Sequence, residues 1–255
     1  MMVFRYLKKM PHSIKIAFFV FLLLIATGTY FLFHSPQGIP VTEITIDDIE
    51  YQTAEYPNGA TGYAISWPQC GGEYPRMPYD FGIIGVTNGH SLSYNPCFKS
   101  ELIWAQKAKY LPSFYLNLDF PSRMHDTPPR SYGYRTAQDA YEFAKSQGVE
   151  GGTWWLDVQI MSRWSSDKAT NAQIVLGAIE YFNEQNVFIG LSTTPYQWHE
   201  VVGDLQTNLP NWIPGRANKE AAATYCTEGI SYSGGPVLQL AYIENGFEAV
   251  YSCGQ

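Results

Sequence analysis

Several short apolar runs in this chain end in side chains that could hold a sugar. The first run closes with Ser66-Trp67-Pro68-Gln69, the second with Thr87-Asn88 and the third with Tyr115-Leu116-Asn117-Leu118-Asp119. Asp157-Val158-Gln159 ends the fourth, Ser192-Thr193-Thr194 the fifth, Trp212 closes a weaker run and Gln239 lies in the last. An aromatic face beside amides and hydroxyls can stack on a sugar ring and bond its hydroxyls. Ser66, Trp67, Gln69, Asn88, Tyr115, Asn117, Thr193, Trp212 and Gln239 are therefore candidate substrate-binding residues. Aromatics make up 16% of the chain, and most of them are expected in the core rather than against a ligand. Asp119 and Asp157 would make a carboxylate pair, the unit that glycoside hydrolysis needs. Asp119, just before Phe120-Pro121, could equally cap a turn, and Asp157 could equally be a hydrogen-bonded structural carboxylate.

Other chemistries find little support. His90, His125 and His199 are scattered without H-x-x-x-H spacing, so no metal site is expected. Gly190-Leu191-Ser192 lacks the second glycine of a nucleophile elbow. No G-x-G-x-x-G or Walker pattern follows any apolar run, and no cofactor is expected. All 23 acids lie from Glu43 onward, whereas four of the 16 basic residues precede residue 16; the rest of the chain carries 12 − 23 = −11. Such a surface repels nucleic acid and anionic polymers, and nucleic acid is excluded as a partner.

The elements that must position these residues alternate. Thr61–Ser66, Phe81–Thr87, Ser113–Leu118, Thr153–Val158, Val187–Ser192 and Val237–Ala241 read as buried strands. Phe98–Tyr110, Arg135–Gln147, Asn171–Gln185 and Pro195–Leu205 have helical spacing, with Gly148 as a C-cap. Weaker runs at Asn211–Pro214 and Ala221–Tyr225 bring the strands to eight. The expected fold is α/β, an irregular, small (β/α)8 TIM-like barrel of about 195 residues with its last helices short or missing. An open doubly wound sheet is the alternative. In a barrel the site lies at the carboxyl ends of the strands, where the residues above fall.

Residues 1–15 carry Arg5, Lys8, Lys9 and Lys15 and no acid, and residues 16–33 carry no charge. This predicts a basic cytoplasmic flank, a transmembrane signal anchor over 16–33, a stalk over 34–59 and the barrel over 60–255 on the extracytoplasmic side. The alternative is a cleaved signal peptide and a secreted protein. The apolar run is longer than the ~7 to 15 residues of a signal-peptide core, and it lacks a small-residue cleavage site. An exported domain lets Cys70, Cys97, Cys226 and Cys253 pair. Of three connectivities, Cys70 with Cys97 and Cys226 with Cys253 is expected, each closing a loop of a few tens of residues; zinc binding is the alternative.

Gly62-Tyr63-Ala64-Ile65-Ser66-Trp67-Pro68-Gln69 resembles the first-strand G-x-D-V-S-x-x-Q motif of family 25 glycoside hydrolases, the Chalaropsis-type lysozymes. Phe81 to Thr87 is similar to that family's second strand, and Trp155-Leu156-Asp157-Val158-Gln159 sits where its D-x-E motif would. Val187 to Trp198 and Gln239 also fit, so the resemblance covers roughly residues 61 to 255 and is closest to the glycoside-hydrolase-like domains of secreted bacterial proteins. It implies a barrel that cuts the glycan strand of peptidoglycan, with the motif Glu as general acid and neighbouring aspartates in support. Here Ala64 stands at the first-strand aspartate, Gln159 at the motif glutamate, and Asp157 is kept. The catalytic positions to inspect are thus Asp157, Gln159, Asp119 and Ala64. An amide cannot deliver a proton to the glycosidic oxygen.

The expectation is a membrane-anchored domain that engages a polysaccharide, peptidoglycan-like cell-envelope glycan, with impaired or absent hydrolysis. An active lysozyme-like glycosidase using Asp157 with Asp119, and a non-catalytic protein-interaction module, are the alternatives.

Overall fold

Strands buried on both faces read as continuous apolar runs, and a parallel sheet needs helices to cover its outer face. That is the arrangement found in the computed structural model, which describes residues 56–121 and 126–254. The expected cytoplasmic flank and transmembrane span, residues 34–55 of the expected stalk, and His125 lie outside the described residues. Among the described residues no helix is long and apolar enough to cross a membrane.

Strands β1 (Thr61–Ile65), β2 (Phe81–Gly85), β3 (Ser113–Asn117), β4 (Trp154–Asp157), β5 (Ile189–Ser192), β6 (Asn211–Arg216), β7 (Val237–Glu244) and β8 (Phe247–Ser252) close into one barrel in chain order. Helices α1 (Phe98–Ala105), α2 (Pro129–Ser146), α3 (Lys168–Glu184), α4 (Pro195–Val202) and α5 (Lys219–Glu228) fill crossovers between successive strands from β2 to β7. Between β1 and β2 there is only a 3-10 turn, Trp67–Gln69, followed by a long loop. The fold reaches back to Tyr56, whose ring stacks on Phe81 at 3.8 Å and whose hydroxyl donates to the Leu111 carbonyl at 2.7 Å.

The expected strand at Ala221–Tyr225 is instead part of α5. Asn218 caps that helix by accepting from the Ala221 N–H at 2.9 Å, and the Lys219-Glu220-Ala221-Ala222-Ala223 stretch is made mostly of strong helix formers. The eighth strand lies further on, after Asn245-Gly246, whose φ values of 52° and 81° match the hairpin turn that favours Asn-Gly. It runs antiparallel to both β7 and β1, so the barrel is closed by a hairpin and not by a final crossover helix.

Alternate residues separate two apolar layers. Ile84, Phe114, Leu116, Trp154, Leu156, Leu191 and Leu240 point outward to the helices, while Ala64, Phe81, Ile83, Trp155, Trp212, Ala241 and Val250 fill the barrel. The interior takes large rings because glycines face them: a Cβ at Gly190 would sit 2.3 Å from the Trp155 ring, and one at Gly85 would sit 2.7 Å from the Tyr115 ring. Two disulfides hold the periphery. Cys70–Cys97 ties the β1–β2 loop to the start of α1, and Cys226–Cys253 ties α5 to the chain after β8. Glu101 of α1 is fully buried; its Oε2 accepts from Asn95 Nδ2 at 2.6 Å, and burial raises its pKa to about 7.

Helices α2 and α3 pack backbone to backbone. A Cβ at Gly177 would lie 2.0 Å from the Arg130 carbonyl oxygen, and one at Gly133 would lie 1.8 Å from that of Ile174. Neither contact is with a flexible side chain, so Gly177→Ala must push the helices apart. A loss of about 2 kcal/mol is expected, in the range of overpacking changes; an unaltered denaturation midpoint would contradict this close approach.

Candidate functional site

Period-two alternation sets the site. Because Trp155 faces inward, so does Asp157 at the end of β4, and its register partners carry polar groups around the mouth. Asn117 pairs with Asp157, Asp157 with Ser192, Ser192 with Trp212 and Trp212 with Gln239. Five adjacent strands thus present one row of buried polar or aromatic side chains at the level where the barrel opens.

Asp157 is 4% exposed. It accepts from Asn117 Nδ2 at 2.5 Å, and Asn117 is held in turn by Thr87, whose hydroxyl donates to Asn117 Oδ1 at 2.8 Å and accepts from the Asn117 N–H at 2.9 Å. The side chains of Gln159 and Ser192 also act on Asp157, each lowering its pKa. Burial raises its pKa to about 7 and outweighs the lowering by Gln159; the charge of Glu248 adds to the rise, and bonds from Asn117 and Ser192 oppose it.

Glu248 is the residue that sequence reasoning missed. It lies opposite Ala64 in the β1–β8 register, on the inward side with Val250, and is partly exposed. Burial raises its pKa to about 7 as well. The signal was present: Asn245-Gly246 followed by an alternating run marks a hairpin, and a strand at 247–252 would have placed Glu248 and Val250 on one face. Beside these carboxyls, the indole N–H groups of Trp155 and Trp212 and the Gln239 Oε1 are buried and have no partner among the described residues.

Above this layer opens a cleft of about 570 Å³, lined by Ser66, Trp67, Asn88, His90, Tyr115, Asn117, Asp119, Gln159, Met161, Ser162 and Arg163 among others. Seven sequence candidates meet here: Ser66, Trp67, Asn88, Tyr115, Asn117, Asp119 and Gln159. Trp212, Gln239, Asp157 and Ala64 are not among the residues that line that cleft. Two candidates are engaged elsewhere. Gln69 turns back to accept from the Ser66 N–H at 3.0 Å, and the Thr193 hydroxyl donates to the Val158 carbonyl at 2.5 Å. Both oxygens of Asp119 have structural partners: Nε and Nη2 of Arg163 donate to its Oδ2, while Ser91 N–H and Tyr132 hydroxyl reach its Oδ1 at 3.3 Å. The carboxyl whose charge acts on Asp157 is Glu248. Among the described residues no group of three or more His, Cys, Asp and Glu could hold a metal ion.

A closed eight-stranded barrel with a polar, aromatic cleft over a buried carboxyl at its strand ends is a lysozyme-like domain of the family 25 glycoside hydrolase type. The chain belongs to the family described as lysozyme-like protein 1, whose model matches residues 79–214. A probable GH family 25 lysozyme 3 of Dictyostelium discoideum is 30% identical over 92 residues, 36% of this chain and 19% of that protein. This chain therefore matches about a fifth of the length of that curated relative. Among solved structures, the bacterial lysozyme from Streptomyces coelicolor superposes with a TM-score of 0.53 at 14% identity, covering 77% of this chain and 93% of the other. The modular Cpl-1 endolysin complexed with a peptidoglycan analogue superposes with a TM-score of 0.52 at 16% identity, covering 78% and 56%. Both show the same fold.

The raised carboxyls have a consequence for stability. Their usual values are 3.8 and 4.5, so in the window up to about 7 the folded state keeps protons that the unfolded chain has lost. The stability these two groups contribute is full below about 4 and falls as pH rises to about 7, because the folded state binds more protons there. Thermal melts across this range should show a falling midpoint, and Asp157→Asn should flatten its share of the slope. An equal slope in the variant would show that Asp157 titrates normally.

Proposed function

We propose that this is an extracytoplasmic lysozyme-like barrel that engages cell-envelope glycan of the peptidoglycan type, and that the usual hydrolytic route is impaired. The observation that carries this reading is the cleft itself: rings, amides and hydroxyls line it, and the side chain at the acid position of the family motif is the amide of Gln159. Gln159 can donate a hydrogen bond but has no proton to give a leaving oxygen. The unpartnered indole N–H groups and Gln239 carbonyl support a polar ligand or water at the mouth. The peptidoglycan analogue bound by the Cpl-1 endolysin supports the choice of glycan. Two disulfides suit an oxidising, extracytoplasmic compartment. In this reading residues 16–33 anchor the chain with residues 1–15 in the cytoplasm, 34–59 act as a tether and the barrel follows.

The full chain should pellet with purified peptidoglycan and release few new reducing ends. Gln159→Glu should raise release by about 10²-fold or more, the usual worth of a positioned acid. Rapid release by the natural sequence would overturn the impairment, and failure to pellet would overturn the glycan reading. A mature N-terminus beginning after residue 33 would sink the anchor.

A second reading, an active glycosidase, is favoured by one observation. Asp157 and Glu248 both face into the barrel, the charge of Glu248 raises the pKa of Asp157, and both are raised to about 7, where one can be protonated while the other is charged. On this reading Glu248→Gln abolishes reducing-end release by the natural sequence while pelleting persists; full release from that variant would dismiss the pair.

A further inference from the structure

Arg163 is the exposed charge on the wall of the cleft. Its side chain is 49% exposed, whereas that of its partner Asp119 is 1% exposed, so the guanidinium lies toward the opening with the carboxylate beneath it. The arrangement is rigid: the Arg163 carbonyl accepts from the Phe120 N–H at 2.6 Å, and Nε, at 2.9 Å, and Nη2 both hold one oxygen of Asp119. A guanidinium carries five N–H donors in a planar fork. Asp119 takes one from Nε and one from Nη2, and the Nη1 edge has no partner among the described residues.

Facing groups on the same cleft are donors or neutral. His90 bonds the Asn88 carbonyl through Nδ1 at 2.8 Å, and Asn88 and Ser162 add an amide and a hydroxyl. The rest of the exported chain carries an excess of acid. A positive edge, held in place and presented inside a cleft of such a domain, matches a planar anion that can accept two hydrogen bonds.

We infer that the Nη1 edge of Arg163 is a subsite for a carboxylate substituent of the glycan. This rests on the glycan-binding reading and makes Arg163 the residue by which the cleft distinguishes a carboxylate-bearing glycan from a neutral one. The carboxylate could belong to a lactyl ether on an amino sugar, to a uronic acid or to a peptide attached to the glycan, and all three present the same two oxygens. Neutralising Asp119 requires only Nε and Nη2, so a purely structural arginine would show no preference among ligands.

The test is titration of the full chain with four soluble probes: a neutral N-acetylglucosamine tetramer, a lactyl-bearing amino-sugar oligomer without peptide, the same with its peptide, and a uronic acid oligomer. Carboxylate-bearing probes should bind about tenfold tighter or more at low salt, the scale of one charge-assisted hydrogen bond, with the margin shrinking as salt rises. The probe with the largest margin identifies the source of the carboxylate. In Arg163→Gln the ratio of acidic to neutral affinity should collapse to about one. Because that change strands Asp119, the double variant Asp119→Asn with Arg163→Gln removes the buried charge together with its partner and should show the same collapse. Equal affinity of the natural chain for neutral and acidic probes, or a preference that survives in the folded double variant, overturns the subsite while the glycan reading stands. Binding of no probe by the natural chain overturns both.

Discussion

The mouth of this barrel depends on how its last strand closes it. A parallel barrel built only from crossovers would bring β8 in beside β1 with the same polarity, its carboxyl end at the mouth. Here the Asn245-Gly246 turn sends β8 back down from the end of β7, so its amino end sits at the mouth between β7 and β1. The second residue of the strand then lands opposite Ala64, and its parity with Val250 turns it inward. One turn therefore decides that a carboxyl, and not another apolar ring, reaches the level of Asp157. The packing beneath makes the placement firm, since Trp155 and Tyr115 occupy space that Gly190 and Gly85 leave open.

Two acids near the mouth receive opposite treatment. Asp119 is given a full set of partners: a guanidinium fork on one oxygen, an N–H and a hydroxyl on the other. Such a carboxylate has little left to offer a substrate. Asp157 is buried with neutral amide and hydroxyl partners only, and burial prevails over those bonds. A carboxyl in that state changes its proton near neutrality, the condition under which a group can act as acid or base. The chain that joins Thr87, Asn117 and Asp157 orients it without supplying a counter-charge.

Much of this was legible in the residues. The strand ends at Asn117, Asp157, Trp212 and Gln239 form one register row because period-two runs leave no other inward position once the rings below are placed. What escaped were features set by tertiary closure. Ala221–Tyr225 has the small, apolar character of a short strand, and only the cap at Asn218 and the helix-forming run before it reveal α5. Glu248 escaped because the eighth strand had already been assigned elsewhere, although Asn-Gly is a strong local hairpin signal. Gln69 and Thr193 had suitable chemistry, but backbone groups claimed their side chains, the Ser66 N–H three residues back for Gln69 and the Val158 carbonyl 35 residues away for Thr193. The tie between Arg163 and Asp119 joins two loops 44 residues apart, and nothing in the local pattern of either announces it.

In the proposed reading, Gln159 separates binding from catalysis at one site. A glutamate and a glutamine have nearly the same shape, and either can line a cleft and bond a sugar oxygen in the ground state. Only the acid offers an interaction that grows as the glycosidic bond breaks, and rate comes from that difference alone. The amide keeps the first contribution and gives up the second. It also lowers the pKa of Asp157 and partly offsets the effect of burial. A glutamate at the same place would bring a second charge beside a buried carboxyl and push its proton affinity further up. The amide thus makes the buried aspartate less costly to hold, while the polar row at the mouth stays intact.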